Sequence, residues 1–327
     1  MPDQQYDNGP LAGLGGVLPV FQTPFDDRYA IDFGELGDEI DWLFEHGADG
    51  VVLGMVSEVL RLSISERDEL ARKACTLVAG RGPVVVSATA ESTEVAMALV
   101  RAAEDAGASA VMCTLPVSGP VLAEQALDHF EKIVRGTALP VVVQDAGGYV
   151  GHELSLDTMA SLEAAFPERI LFKPETPPLG QRITVLRELT GGRARIYEGM
   201  GGIALVDAYH RGIFGTMPAA DVCWAVAALW SALRGGDEAA VRRIRGPLTA
   251  LIALQSQLDA FVALEKHLLV VQKVIGSARM RGPVGYRLDP ETSREAERLM
   301  EELRDATAGI VPSAAAVAIN GAQASRR

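Results

Sequence analysis

The sequence predicts a (β/α)8 barrel, the TIM-barrel fold, followed by a C-terminal helical appendage. Eight short apolar runs alternate along the chain with segments whose apolar residues recur at helical spacing. The runs have no polar face, which is typical of parallel strands buried between helices. After about residue 220 the apolar runs end and only helical patterns remain. Eight strand–helix units in succession close most naturally into a barrel.

The eight predicted strands are short, and glycine or proline usually separates each of them from the neighbouring helix. In chain order they are Val17–Phe21, Gly50–Leu53, Val84–Ala88, Ala110–Cys113, Val141–Gln144, Ile170–Lys173, Arg195–Glu198 and Ile213–Thr216. Helical spacing is clear in the intervening segments Phe33–His46, Ser65–Ala79, Thr93–Ala106 and Leu122–Arg135. A doubly wound open sheet is the alternative fold, but no G-x-G-x-x-G sequence opens a helix after the first strand.

Four further helices are predicted after the last strand, over residues 221–235, 237–255, 257–276 and 291–308. Asp237 is a suitable N-cap for the second of them, and the last begins at Asp289-Pro290. The stretch Leu251–Val274 has more apolar residues than one buried stripe requires, which favours self-association. The predicted organisation is a flexible leader over residues 1–14, the barrel over 15–235, the helical region over 236–308 and a disordered tail over 309–327.

Composition argues against several classes of protein. The formal net charge of −13, with no basic cluster, argues against a nucleic-acid partner. Three distant cysteines and five scattered histidines form no disulfide framework and no metal-binding motif, so neither a metal nor another cofactor is predicted. No apolar stretch reaches the roughly 18–20 residues of a membrane helix, and the polar N-terminus is unlike a signal peptide. A cytoplasmic protein with no membrane partner is expected.

Lys173 is the principal candidate for a catalytic residue. It ends the apolar run Ile170–Lys173 and precedes Pro174, so it is expected at the mouth of a buried strand. A lysine there is costly to bury unless it is paired or uncharged, and an uncharged amine is a nucleophile toward carbonyl groups. In a (β/α)8 barrel the chemistry takes place at the carboxyl ends of the strands. The structural alternative is an ion pair with Glu175 or an ammonium group that extends to solvent.

Several short segments, in order along the chain, resemble one known family. They are Thr23-Pro24-Phe25, Gly54–Glu58, Leu62–Arg67, Ala106–Ala110, Leu115-Pro116 and Gly212–Pro218. Together with Lys173 they resemble the dihydrodipicolinate synthase/N-acetylneuraminate lyase family of class I aldolases. The resemblance extends from Gly16 to about Ser277. It implies a TIM barrel, a homo-oligomer (a tetramer or a dimer), and a Schiff base between Lys173 and a 2-oxo acid such as pyruvate.

The chain also departs from the pattern of that family. The Y-N-x-P sequence, whose tyrosine relays protons, is replaced by Gln144–Gly147, and glutamine cannot act as a general acid or base. The two threonines of the G-T-T-G-E sequence are replaced by Met55 and Val56. The segment Gly199–Gly202 lacks the acidic residues with which the lyases hold sugar hydroxyls. Standard synthase and sialate lyase activities are therefore not expected.

Three residues near Lys173 are candidates for the missing proton-transfer group. Asp145 follows the fifth predicted strand, Tyr149 lies shortly after it, and Glu175 is two residues beyond Lys173. Neighbouring strand residues point to opposite faces, so only one of Gln144 and Asp145 is expected to face the interior unless the chain turns there. Asp145 ranks first because it stands where the tyrosine of the family acts. A helix cap, a turn or a salt bridge is the structural alternative for these residues.

Candidate substrate-binding residues lie in the loops at the same end of the barrel. The turn Gly54–Glu58 is expected to offer its amides, with Ser57, to the carboxylate of a 2-oxo acid. The complete predicted set is Ser57, Val56, Met55, Gln144, Thr23, Gly199 and Thr216. A loop-stabilising role is as well supported for Thr23 and Thr216. The apolar Met55 and Val56 favour a partner with fewer hydroxyl groups than a sugar.

These observations predict a Schiff-base lyase or aldolase that acts on a small 2-oxo acid through Lys173 and is not a standard dihydrodipicolinate synthase. A dehydratase, hydrolase or decarboxylase that uses the same imine is one alternative. A catalytically silent family member that binds a ligand is another. The lost tyrosine and threonines favour it, whereas the retained Lys173 argues against it. Borohydride trapping with 2-oxo acids separates this last hypothesis from the other two.

Overall fold

Parallel strands and helices alternate in chain order. The computed structural model describes residues 11–150, 152–255 and 257–310. The strands are β1 Gly16–Val17, β2 Val51–Leu53, β3 Val84–Ser87, β4 Ala110–Cys113, β5 Val141–Asp145, β6 Ile170–Pro174, β7 Tyr197–Glu198 and β8 Gly215–Thr216. The helices are α1 Phe33–Glu45, α2 Ile64–Val78, α3 Thr93–Asp105, α4 Ala123–Arg135, α5 Gly147–Val150, α6 Leu156–Ala165, α7 Leu179–Leu189, α8 Leu205–His210, α9 Cys223–Gly235, α10 Glu238–Ile252, α11 Leu258–Val271 and α12 Pro290–Thr307.

Strand pairing closes the sheet into a barrel. The strands form two groups, in the orders β2-β3-β4-β5-β6 and β1-β8-β7. Parallel bridges between Val20 and Val52 and between Phe172 and Ile196 join the two groups at both seams. The first strand thus pairs with the last, which an open doubly wound sheet does not allow. The predicted (β/α)8 barrel is confirmed.

The first strand is shorter than the predicted run Val17–Phe21. Regular pairing with β8 covers only Gly16 and Val17, and contact resumes where the amide of Val20 donates to the carbonyl of Pro218. Pro19 has no amide hydrogen to donate, so it interrupts the ladder between them. The chain still runs along the wall of the barrel, because the amide of Leu18 donates to the carbonyl of Thr216.

Polar residues fix the starts of the helices. Ser63 and Glu66 form a reciprocal capping box at the start of α2. Asp237 and Asp289 accept hydrogen bonds from the first amides of α10 and α12, as the sequence predicts. Such caps satisfy backbone donors that have no partner inside the helix.

The floor of the barrel is closed by the segment that precedes β1. Leu11 and Leu14 are buried and pack with interior residues of the strands, including Leu18 and Leu171. The hydroxyl of Tyr197 donates to the carbonyl of Leu14 at 2.5 Å. Residues 1–10 of the predicted leader lie outside the described residues, whereas residues 11–14 are already part of the packed fold.

Helix α11 is buried within its own chain, which explains its excess of apolar residues. It contacts α12 on one side and the turn Met55–Ser57 on the other, and Leu264 and Leu268 are each 1% exposed. The predicted oligomer therefore loses this argument and stays a prediction. In the part of the chain that the structure describes, no helix is long and apolar enough to cross a membrane.

Candidate active site

A small pocket opens where the strands of the barrel end. Its polar side chains come from one part of the wall: Gln144 on β5, Lys173 on β6, and Glu175 directly after β6. The rest of the described lining is apolar or glycine and consists of Val20, Met55, Val56, Gly199, Gly201, Met217, Pro218, Ala219, Leu258 and Phe261. The pocket thus holds one amine and one carboxyl group in apolar surroundings.

Strand geometry brings the three polar side chains together. Residues two apart on a strand point to the same side, so Lys173 and Glu175 share a face while Pro174 points away. Gln144 is paired in register with Lys173 on the neighbouring strand. The Nζ atom of Lys173 lies 3.2 Å from Oε1 of Glu175, and Nε2 of Gln144 donates to Oε2 of Glu175 at 2.6 Å. Glu175 therefore has one oxygen on the lysine and the other on the amide.

The carboxyl group of Glu175 is 3% exposed. Burial raises its pKa above the ordinary value, while the charge of Lys173 and the hydrogen bond from Gln144 act in the opposite direction. A carboxyl group with a raised pKa can donate and accept a proton near neutral pH. Glu175 therefore has the electrostatic setting of a general acid and base beside the amine.

Gly199 makes room for the lysine. A Cβ atom at this position would lie 2.6 Å from Cε of Lys173 and 2.9 Å from Cγ of Glu175, which is too close for any side chain. The sequence predicts Gly199 as a substrate-binding residue. The geometry adds a second role, because the absence of a side chain allows the amine to extend into the pocket.

Asp145 does not line the pocket, although it is the sequence's first choice for proton transfer. Its Oδ1 accepts from the amide of Leu154 at 2.9 Å, and its Oδ2 pairs with Arg182 at 2.8 Å. The alternation of side chains along β5 turns Gln144 inward and Asp145 away from it. Asp145 therefore fastens the chain behind the strand, and Glu175 is the carboxyl group that reaches the amine.

Tyr149 belongs to the short helix α5, but its side chain lies outside the described residues. The suggestion that its phenol reaches the pocket stays a prediction.

The hydroxyl groups that the sequence assigns to substrate are used within the loops. Ser57 donates to the carbonyl of Phe21 at 2.5 Å and accepts from the amide of Gly54 at 3.1 Å. Thr23 donates to the carbonyl of Ser57 at 2.6 Å. These bonds hold the turn after β2 against the loop after β1, and they leave Met55 and Val56 as the residues of this turn that line the pocket.

Thr216 has a similar structural role. Its hydroxyl donates to Oε2 of Glu198 at 2.8 Å, and the same carboxyl group accepts from the amides of Met200 and Gly202. Of the predicted substrate-binding residues, Ser57, Thr23 and Thr216 thus stabilise loops, whereas Met55, Val56, Gln144 and Gly199 line the pocket.

Helix α11 supplies pocket residues that sequence reasoning missed. Leu258 and Phe261 lie near its start and form the wall above the barrel, and Met217 joins them from the loop after β8. The only signal in the sequence is the unusually apolar character of this helix. That signal cannot identify the surface that the helix covers, because the contact joins residues distant in the chain.

Buried charged groups fasten α11 over the pocket. Glu265 accepts from Nε2 of Gln22 at 2.5 Å and from the amide of Ala220 at 2.6 Å. Lys266 pairs with Glu58 at 2.5 Å, and both of these side chains are 0% exposed. The run Glu265-Lys266-His267 lies in the middle of a predicted helix, and such a run of polar residues indicates a solvated face or an oligomer contact. That prediction is wrong for Glu265 and Lys266, because both side chains are buried and hydrogen-bonded inside the fold.

Three carboxyl groups lie buried around this helix: Glu39 of α1, Asp221 before α9, and Glu265 of α11. Burial raises the pKa of Glu39 to about 8 and that of Asp221 to about 7. Burial, together with the nearby charges of Asp221 and Glu39, raises the pKa of Glu265 well above its ordinary value. Glu39 therefore retains its proton in the folded protein at neutral pH.

We expect the free energy of unfolding to fall as the pH rises from about 6.5 to about 8. The unfolded chain has already released these protons in this range, whereas the fold keeps them, so folding takes up protons. Each rise of one pH unit then lowers the free energy of unfolding by roughly 1 kcal/mol for each such carboxyl group, until the pH exceeds the pKa of that group in the folded protein. Denaturant unfolding followed by circular dichroism across this range measures the slope.

The matched pair Glu39→Gln and Glu45→Gln isolates the source of this slope. The amide at position 39 keeps an acceptor for the backbone amide of Gln22, which now bonds to Oε1 of Glu39 at 2.8 Å, but it does not titrate. Glu39→Gln should therefore make the free energy of unfolding less dependent on pH. Glu45→Gln, on the exposed side of the same helix, should leave this dependence unchanged. An equal slope in the two variants would contradict the role of Glu39.

Comparison with known proteins places the chain among related sequences. Residues 13–303 match the model of the dihydrodipicolinate synthetase family. The L-2-keto-3-deoxyarabonate dehydratase of Azospirillum brasilense is 29% identical over 286 residues, which cover 86% of this chain and 91% of that protein. The 4-hydroxy-tetrahydrodipicolinate synthase of Azoarcus sp. (strain BH72) is 32% identical over 187 residues, which cover 57% of this chain and 63% of the synthase, less than two thirds of its length.

Solved structures share the fold. A putative dihydrodipicolinate synthetase from Pseudomonas aeruginosa has a TM-score of 0.82 and 24% identity, covering 89% of this chain and 99% of that one. The dihydrodipicolinate synthase from Rhodopseudomonas palustris has a TM-score of 0.81 and 24% identity, covering 90% of this chain and 99% of that one. At this level of identity the likeness concerns the barrel and its helical appendage alone.

Proposed function

The chain belongs to the dihydrodipicolinate synthetase family, and from this premise we propose that it is a Schiff-base dehydratase of a 2-oxo-3-deoxy sugar acid. The family includes lyases and dehydratases. The observation that carries the proposal is the contact of 3.2 Å between Nζ of Lys173 and the buried carboxyl group of Glu175. This contact places a nucleophile and a proton-transfer group side by side. Gln144, which cannot transfer protons, stands where the tyrosine of the family relays them.

The first step forms the imine. A proton passes from the ammonium of Lys173 to Glu175, and the free amine attacks the C2 carbonyl of the substrate. The carbonyl oxygen leaves as water with one proton from the amine and the proton that Glu175 held, which gives an iminium ion and a carboxylate. We expect the C1 carboxylate of the substrate to accept from backbone amides of the turn at Met55 and Val56.

The second step removes the hydroxyl group at C4. The carboxylate of Glu175 takes a proton from C3, and the iminium accepts the electron pair to give a neutral enamine. The enamine then expels the C4 hydroxyl, which leaves as water with the proton that Glu175 has just received. Water hydrolyses the remaining conjugated iminium, which frees Lys173 and an unsaturated 2-oxo acid. When C5 carries a hydroxyl group, that product rearranges to an aldehyde.

The proton economy of Glu175 favours elimination of water over cleavage of a carbon–carbon bond. An aldol cleavage between C3 and C4 needs a base that removes the proton of the C4 hydroxyl, whereas dehydration needs a group that removes a proton from C3 and returns one to the leaving hydroxyl. The raised pKa of Glu175 makes its carboxylate a stronger base and leaves a larger fraction of the carboxyl group protonated, which suits both halves of the dehydration. The relative from Azospirillum brasilense is named as a dehydratase of a 2-keto-3-deoxy acid and matches most of this chain, which supports the same choice.

The proposal is tested by incubating the protein with 2-oxo-3-deoxy-pentonate and following the substrate by NMR. Loss of the C4 hydroxyl and appearance of a new aldehyde support dehydration, whereas release of pyruvate shows carbon–carbon cleavage. Borohydride reduction should attach the substrate to the peptide that contains Lys173. If no 2-oxo acid is attached, the proposed mechanism is wrong and the ligand-binding alternative gains support.

We also expect no measurable condensation of pyruvate with aspartate semialdehyde, the ordinary synthase reaction of the family. That reaction uses a relay of hydroxyl groups, and none of the described pocket residues carries one. A coupled assay of the condensation measures this activity, with borohydride trapping of pyruvate in the same preparation as proof that the protein is competent. Condensation that proceeds within about tenfold of dehydration would contradict this expectation.

A further inference from the structure

The described lining of the pocket contains no second group that could neutralise a second negative charge. Lys173 is the single cation among these residues, and the imine uses its nitrogen. The apolar part of the lining includes Leu258 and Phe261 of α11, with Met217 and Pro218 of the loop after β8. An anion placed among such side chains loses its hydration without gaining a partner.

Cations near the mouth of the barrel are already matched. Lys266 pairs with Glu58, Arg61 with Asp259, Arg279 with Asp27, Arg281 with Glu66, and Arg182 with Asp145 and Glu153. Turning one of them toward the pocket would break an existing pair and leave its carboxylate alone, which is costly for buried partners such as Glu58. None of these paired cations is therefore free to serve a distal carboxylate.

We propose that Leu258 and Phe261 are specificity-determining residues that restrict the site to 2-oxo acids whose only charge is the C1 carboxylate. This inference rests on the proposed imine but not on the dehydration that follows it. Acids with an uncharged distal end are accepted, and those with a second carboxylate at the far end are rejected. The two side chains exert this selection by surrounding the distal carbon atoms with apolar surface.

The test compares two acids of equal carbon number, 2-oxopentanoate and 2-oxoglutarate, which differ only in the distal carboxylate. Borohydride trapping at increasing concentrations of each acid gives the apparent dissociation constant of the imine at Lys173. We expect 2-oxopentanoate to bind more tightly by roughly 100-fold or more, since burying an unpaired charge is costly. Equal trapping of the two acids by the unaltered protein overturns the proposal.

Variants that add a cation identify the residues responsible. Leu258→Arg and Phe261→Arg should each reduce the preference by about tenfold or more, because the new guanidinium can pair with the distal carboxylate. Leu258 is half-buried, so its variant is the safer one for folding. Val271→Arg is the matched control, because it adds the same charge to an exposed position of the same helix, outside the pocket. It should leave the preference unchanged.

The outcomes separate the two proposals. If the preference for 2-oxopentanoate over 2-oxoglutarate falls in Leu258→Arg or Phe261→Arg but not in Val271→Arg, the role of Leu258 and Phe261 is supported. An equal fall in all three variants shows a general effect of net charge and overturns it. Failure to trap either acid at Lys173 refutes the proposed imine, and the selectivity inference falls with it.

Discussion

Replacement of Lys173 with arginine is expected to abolish imine trapping and to lower turnover by about 10⁴-fold or more. Arginine keeps the positive charge that faces Glu175, but its guanidinium stays protonated and cannot attack a carbonyl group. The variant therefore separates the nucleophile from the charge. Mass spectrometry of the reduced protein and NMR of the substrate measure the two losses.

Lys132→Arg provides the matched control for this variant. Lys132 lies on the exposed face of α4, where it pairs with Asp128 at 2.6 Å, and it is not among the residues that line the pocket. The same substitution there should leave both trapping and turnover unchanged. Normal turnover by Lys173→Arg, with a normal thermal unfolding curve, would rule out a covalent mechanism at this residue.

Glu175→Gln is expected to slow turnover by roughly 10²–10⁴-fold, the usual contribution of a general acid and base. The amide can still bond to Gln144 and Lys173, so the pocket should keep its shape, but it cannot carry a proton between C3 and the leaving hydroxyl. Imine trapping at Lys173 should persist and give the same mass increment in the reduced protein. This combination of lost turnover and retained trapping would show that the steps after imine formation depend on Glu175 more strongly than imine formation itself does.

Asp145→Asn distinguishes this assignment from the one that the sequence favours. Because Asp145 bonds to Arg182 and to the amide of Leu154, its replacement should lower stability and change turnover by less than about tenfold. If Asp145→Asn slows turnover as strongly as Glu175→Gln, the role of proton transfer returns to Asp145. If neither variant is slow, Tyr149 becomes the candidate to test.

The barrel and the position of Lys173 follow from local features of the sequence. A buried parallel strand must be apolar on both faces, so each apolar run can be recognised without knowledge of its neighbours. Pro174 marks the end of one such run, and the carboxyl ends of the strands form the functional face of the barrel. These two facts place Lys173 in the pocket before any contact is known.

The remaining pocket residues depend on choices that local sequence does not determine. Whether Gln144 or Asp145 faces the interior depends on where β5 ends and on its register with β6. The hydroxyls of Ser57 and Thr23 bond to carbonyl groups that the fold buries, and only the assembled loops reveal those acceptors. The contribution of Phe261 requires the packing of α11 across the barrel, which spacing along the chain does not encode.

The fastening of α11 has a consequence for the order in which the protein is completed during synthesis. Gln22 and Glu265, and Thr23 and Lys266, are each 243 residues apart in the chain. The loops after β1 and β2 therefore emerge early but cannot make their final hydrogen bonds until α11 has left the ribosome. Contacts of such large sequence separation form late in folding. A chain released before α11 is made has the lysine-bearing strand but lacks Leu258 and Phe261, so we expect the proposed selection of a substrate to be completed only after α11 has folded.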